Sequence, residues 1–158
     1  MNKIFKNKNG GITVVELLIS ISILALILAV VLPQFSRMRS NQVLKNATID
    51  IMSALHKAQS QTLASLNSSE YGVRFESDQV VIFSGTTFSA IAPDNEYINI
   101  TGPATISNVT LNGSSGTAGD LYFTRLSGTP SKTGTISVYT PNLSKIITIS
   151  DSGAISLN

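Results

Sequence analysis

The chain has 158 residues, no cysteine and a formal charge of +2, with room for one domain of ordinary size. Three of its eleven basic side chains, Lys3, Lys6 and Lys8, lie in residues 1–11, so the remainder carries eight against nine acidic groups and is near neutral. Disulfides and thiolate metal sites are thereby excluded, and the clustered cations that phosphate attraction needs are missing.

In chain order, residues 1–11 form a short lysine-bearing leader ending in Gly10-Gly11. From Ile12 to Leu32 the sequence is apolar apart from one charge, Glu16. As an α-helix these 21 residues rise about 31 Å, close to the ~30 Å hydrocarbon thickness of a bilayer. A secretory signal peptide would have a shorter apolar core closed by an A-x-A-like site, and none occurs between Leu26 and Gln34. Counting basic residues leaves the orientation open, because Arg37, Arg39 and Lys45 follow the span as closely as the three lysines precede it. Glu16 is the anomaly: a charge in hydrocarbon costs roughly 2.5–3.5 kcal/mol on insertion scales, which calls for a partner or a function.

Pro33 removes a backbone donor and predicts a kink where the membrane part meets an amphipathic part. Beyond it, Leu44, Ala47, Ile51, Leu55 and Ala58 recur at three- and four-residue steps between polar positions, the signature of an amphipathic helix over 33–66. That helix is expected to fade between Leu63 and Ser68, where Asn67-Ser68-Ser69 supplies turn chemistry.

Residues 67–158 read as a β-rich head. Short β-branched and aromatic runs divided by Gly, Ser, Asn and Asp predict strands over 71–76, 79–84, 97–101, 106–111, 121–125, 135–139, 146–150 and 154–157. Ser77-Asp78 and Asp151-Ser152-Gly153 are predicted as tight hairpin connections, with Gly153 free to take a positive φ. The Gly/Ser/Thr-rich stretch 112–119 is predicted to be an exposed loop.

The segment GGITVVELLIS at 10–20 resembles the processing site and N-terminal helix of type IV pilins and type II secretion pseudopilins. The leader, its glycine, the glutamate at the fifth position after it and Pro33 all fall in register; Ile12 stands where phenylalanine is commoner. The resemblance implies cleavage after Gly11 by a prepilin peptidase and methylation of the new N-terminus at Ile12. It further implies a single-pass inner-membrane precursor with an extracytoplasmic head, drawn by an assembly platform into a periplasmic or extracellular filament. In a staggered bundle, Glu16 can pair with the α-amine of a neighbouring copy, since two charges costly alone in an apolar medium become tolerable together. The carboxylate then favours one axial offset between subunits. Snorkelling of Glu16 to the headgroups is the alternative for an isolated subunit.

YGVRFESDQVVIF at 71–83, LYFTRLSGTPSKTGTISV at 121–138 and KIITISDSGAISL at 145–157 resemble the GspH/FimT group of minor pilins and pseudopilins. That resemblance implies an α+β fold in which two small antiparallel sheets pack on the C-terminal half of the long helix. A minor subunit, a major pilin and a membrane-tethered binding domain that never polymerises all remain open.

Other chemistry finds little support. His56, the sole histidine, has no second imidazole or thiol to share a metal and no oriented partner for nucleophilic catalysis, so it reads as a surface or interface residue, and neither an enzyme nor a cofactor is expected. Asp94, Glu96, Asp120 and Asp151 lack compact calcium-loop spacing. The head carries only Arg74, Arg125, Lys132 and Lys145, which argues against DNA as a partner. Asn108-Val109-Thr110 and Asn142-Leu143-Ser144 fit the glycan triplet but read as coincidence in a chain rich in these residues.

Overall fold

A computed structural model describes residues 11–158. The leader lysines and Gly10 lie outside the described residues. Two units are distinguished, one ending at Arg37 and the other running from Met38 to Asn158.

One helix, α1, runs from Val14 to Leu63. Pro33 lies inside it, and the helix continues through that position. In the first unit every residue from Ile12 to Phe35 is exposed. In the second unit α1 buries Leu44, Ala47, Thr48, Ile51, Ala54, Leu55, Ala58 and Thr62, recurring at three- and four-residue steps. All five stripe positions expected from the sequence are in this set, and Ile51 and Leu55 are fully buried. Full burial of such side chains stabilises by about 1.5–3 kcal/mol each.

The helix ends at Leu63, at the start of the stretch where it is expected to fade. Ser65 takes left-handed dihedrals, and a 3-10 turn over Leu66–Ser68 carries Asn67 and Ser68 at positive φ. Ser and Asn tolerate this because their short polar side chains compete locally for backbone groups.

Among the described residues nine strands come after the helix: β1 Tyr71–Phe75, β2 Gln79–Ser84, β3 Glu96–Asn99, β4 Thr105–Leu111, β5 Ser114–Gly116, β6 Gly119–Phe123, β7 Gly134–Thr140, β8 Leu143–Ile149 and β9 Ile155–Leu157. They form two antiparallel sheets, ordered β3-β2-β1-β6 and β5-β4-β7-β8-β9. The expected α+β architecture is therefore present: a long apolar N-terminal helix and two small antiparallel sheets. Eight strands fall where the sequence placed them, with most ends shifted by one or two residues and β8 beginning three residues early. The stretch 112–119 is a correction, because it contains β5 and the first residue of β6 rather than loop alone. Nothing in its composition favours a strand. β5 is held by register, Val109 opposite Gly116 and Leu111 opposite Ser114, and by a 2.9 Å hydrogen bond between the Thr110 and Ser115 hydroxyls.

Both expected hairpins close. Glu76 N–H donates to the Gln79 carbonyl at 3.0 Å across Ser77-Asp78. Ser150 N–H donates to Ala154 O at 3.0 Å, with Gly153 at φ +80° completing the turn.

Inward side chains of the two sheets, including Val73, Phe75, Leu121, Phe123, Ile136, Val138 and Ile147, join the helix stripe in one core. The outer face of the first sheet is covered separately. Phe83 is buried there and meets Phe88 edge-to-face with centroids 5.6 Å apart, and the Arg74 guanidinium lies 5.5 Å from the Phe88 ring centroid. A Cβ on Gly72 would run into the Phe83 ring and the Leu121 carbonyl, so only glycine admits this packing.

Polar ties fasten α1 to the head. Gln59 Nε2 donates to Gly128 O at 2.9 Å and Gly153 O at 3.1 Å, holding two loops. Thr62 Oγ1 accepts Tyr71 N–H at 2.9 Å while donating to Ala58 O at 2.9 Å.

Candidate processing and assembly site

Gly11, Ile12 and Thr13 precede α1 in non-helical conformation and are exposed, Ile12 at 75%. The peptide at Gly11-Ile12 lies outside the helix and is exposed, as a cut there would require.

Thr13 caps the helix. Its Oγ1 accepts the Glu16 N–H at 3.2 Å, and its carbonyl accepts the Leu17 N–H at 3.1 Å. Thr13-Val14-Val15-Glu16 thus has the T-x-x-E spacing of a capping box, a signal present in the sequence that the reading of Glu16 as an isolated charge passed over. Its consequence is positional. Glu16 lies in the first turn, where the exposed N–H groups and the helix dipole favour a negative charge. Its carboxylate makes no hydrogen bond or ion pair among the described residues.

The other polar side chains of the apolar stretch satisfy themselves within the helix. Ser20 Oγ donates to Glu16 O and Ser22 Oγ to Leu18 O, both at 2.8 Å. Back-bonding of this kind removes the cost of a hydroxyl in hydrocarbon. Around them the surface is continuously apolar: Leu17, Leu18, Ile21, Leu24, Leu28 and Leu32 are all exposed. The most apolar window has a mean hydropathy of 2.9 and no buried residue, and α1 is long and apolar enough to cross a membrane. Pro33 follows at the end of this stretch, and Arg37 and Arg39 after it.

The structure brings Gly11, Ile12, Thr13 and Glu16 together at the start of α1 and places Pro33 away from them, inside the same helix. His56 is exposed on α1. The four acidic residues weighed for a cation do not converge, and Glu96 and Asp120 are engaged elsewhere: Glu96 with Lys57 at 2.6 Å, Asp120 with Arg74 at 3.4 Å and Lys132 at 3.6 Å.

An exposed glycine, a capped first turn bearing one carboxylate without a partner among the described residues, and apolar side chains exposed all along residues 12–35 stand together at this end of the chain. Residues 6–32 match the prokaryotic N-terminal methylation motif. No curated protein and no solved structure matches the chain.

Proposed function

We propose that the chain is a minor pilin or pseudopilin: a precursor anchored in the inner membrane by residues 12–32, cut after Gly11, methylated at Ile12 and polymerised through α1. The observation that carries this reading is the Glu16 carboxylate, which has no partner among the described residues and sits in the first turn of a helix whose apolar residues up to Phe35 are all exposed. Cleavage creates an α-amine at Ile12. Pairing of that amine on one copy with Glu16 on the next neutralises both charges and favours one stagger of the helices.

Lipid is the solvent of α1 before assembly, and neighbouring subunits replace it afterwards. The inner-membrane platform that extracts subunits and the other pilins of the filament are the partners this implies. Two antiparallel sheets on the second half of the helix support the GspH/FimT subclass, and with it a minor rather than a major subunit.

Glu16→Gln keeps size and hydrogen-bonding capacity while deleting the charge, and Glu16→Ala deletes both. Both variants are expected to insert in the membrane at wild-type levels and to be incorporated into sheared filaments at a small fraction of wild type. Normal incorporation of the Gln variant refutes charge pairing. Recovery from filaments of a chain still carrying residues 1–11 refutes processing.

A further inference from the structure

The outer face of the five-stranded sheet is open, unlike that of the four-stranded sheet, which Phe88 covers. Its register aligns Ser115 with Thr110, Thr110 with Thr135, Thr135 with Thr148 and Thr148 with Ser156. One hydroxyl per strand therefore runs in an unbroken row across all five strands. At about 4.8 Å between strands the row extends roughly 19 Å. Two residues along, roughly 7 Å away, Asn108 stands opposite Ser137 and Ser137 opposite Ile146.

Three properties of this face narrow what it fits. It is uncharged: the outward positions of β4, β7, β8 and β9 are Ser, Thr, Asn, Tyr and Ile. The hydroxyls of Thr135, Ser137 and Ser156 have no protein hydrogen-bond partner among the described residues, so each offers a donor and an acceptor to a ligand. Beside the rows, Tyr139 and Ile146 are 45% and 41% exposed and sit diagonally on adjacent strands, forming an apolar step. Hydroxyl rows next to an aromatic step complement a molecule with equatorial hydroxyls and apolar C–H faces, which is the chemistry of a sugar chain. The twist of about 20–25° per strand pair curves the array, so it suits a single chain rather than a flat crystalline surface.

We propose that this face binds a neutral polysaccharide, with Ser115, Thr110, Thr135, Thr148 and Ser156 hydrogen-bonding successive sugars and Tyr139 stacking on one ring. An anionic polymer would gain nothing from an array without cations, and a protein partner would leave the free hydroxyls to be matched one by one.

The test is an amide-resolved NMR titration of the mature full-length chain in a polyoxyethylene detergent, which avoids sugar headgroups. The probes are cellohexaose and maltohexaose as neutral chains and hexagalacturonate as the anionic control. At least one neutral chain should shift the amides of Thr110, Thr135 and Thr148 at millimolar concentration, independently of salt, with no comparable effect of hexagalacturonate. Thr135→Val with Thr148→Val keeps shape and β-branching while removing two hydroxyls, and should weaken binding at least about tenfold with Tm unchanged. Tyr139→Ala should weaken it several-fold. No shift with either neutral chain, undiminished binding by the double valine variant, or loss of binding in salt overturns the proposal. So does a shift of these amides on dilution without sugar, which would assign the face to contacts between copies of the chain.

Discussion

Thr62 offers a test of how the long helix is joined to the head. It is fully buried, and its hydroxyl receives the Tyr71 N–H at 2.9 Å at the point where the chain, having left α1, enters β1. Replacing it with valine preserves the volume and branching but leaves the Tyr71 N–H without an acceptor. Ala58 O, the acceptor of the Thr62 hydroxyl, keeps its helical N–H and loses only a second bond. An orphaned buried donor costs about 1–3 kcal/mol, so Thr62→Val should destabilise by about 2 kcal/mol. For a unit of 121 residues, Met38 to Asn158, the unfolding entropy is about 0.25 kcal/mol per kelvin, and the shift in Tm is roughly −8 °C. Thr62→Ser keeps the hydroxyl and removes one methyl, at about 0.8 kcal/mol or roughly 3 °C. All four tyrosines lie in the head and there is no tryptophan, so the tyrosine band of the near-ultraviolet circular dichroism of the full chain in nonionic detergent follows head unfolding. The order wild type, Ser, Val is the expected result, together with faster hydrogen exchange at the Tyr71 amide in the valine variant. A valine variant at least as stable as the serine one refutes the assignment of this bond as the tie between α1 and β1.

Leu55→Ala opens a cavity where the helix stripe meets the sheets and should lower head stability by about 2–5 kcal/mol in the same melt. Lys57→Met removes a 2.6 Å ion pair to Glu96 in which each side chain is 47% exposed, and solvent screening limits the loss to about 0.5 kcal/mol or less, readable as a Tm change of no more than 2 °C or so.

The helix stripe was legible because burial on one face leaves a 3.6-residue rhythm in the sequence itself: Leu44, Ala47, Ile51, Leu55 and Ala58 needed no knowledge of what they pack on. Hairpin turns were legible for a similar reason, since Gly153 and Ser77-Asp78 carry their geometry locally. β5 was not, because Ser114-Ser115-Gly116 becomes a strand only by lying beside β4. The hydroxyl row was hidden for the same reason. Each of its five residues is an ordinary Ser or Thr, and only the pairing of distant strands lines them up. At the N-terminus the reverse holds: the carboxylate, the glycine and the leader were all visible, while Thr13, whose role is to cap the turn that presents Glu16, was missed although its spacing is entirely local.

The two units depend on different solvents, and that difference constrains the function more than any single residue. Residues 38–158 bury their apolar groups against one another, as a water-soluble domain must. Residues 12–35 bury none, and an apolar surface of that extent is far beyond what a monomer tolerates in water. Lipid accepts it, and so do the equivalent surfaces of other copies. Leucine, isoleucine and valine presented on all sides slide past one another with little preference for register, so apolar contact alone would bring helices together at many offsets. The only charge in that surface is Glu16. In the proposed filament, a Glu16 displaced from the matching amine by even one helical turn would stand unpaired in hydrocarbon, and that penalty rather than the strength of the pair would set the stagger.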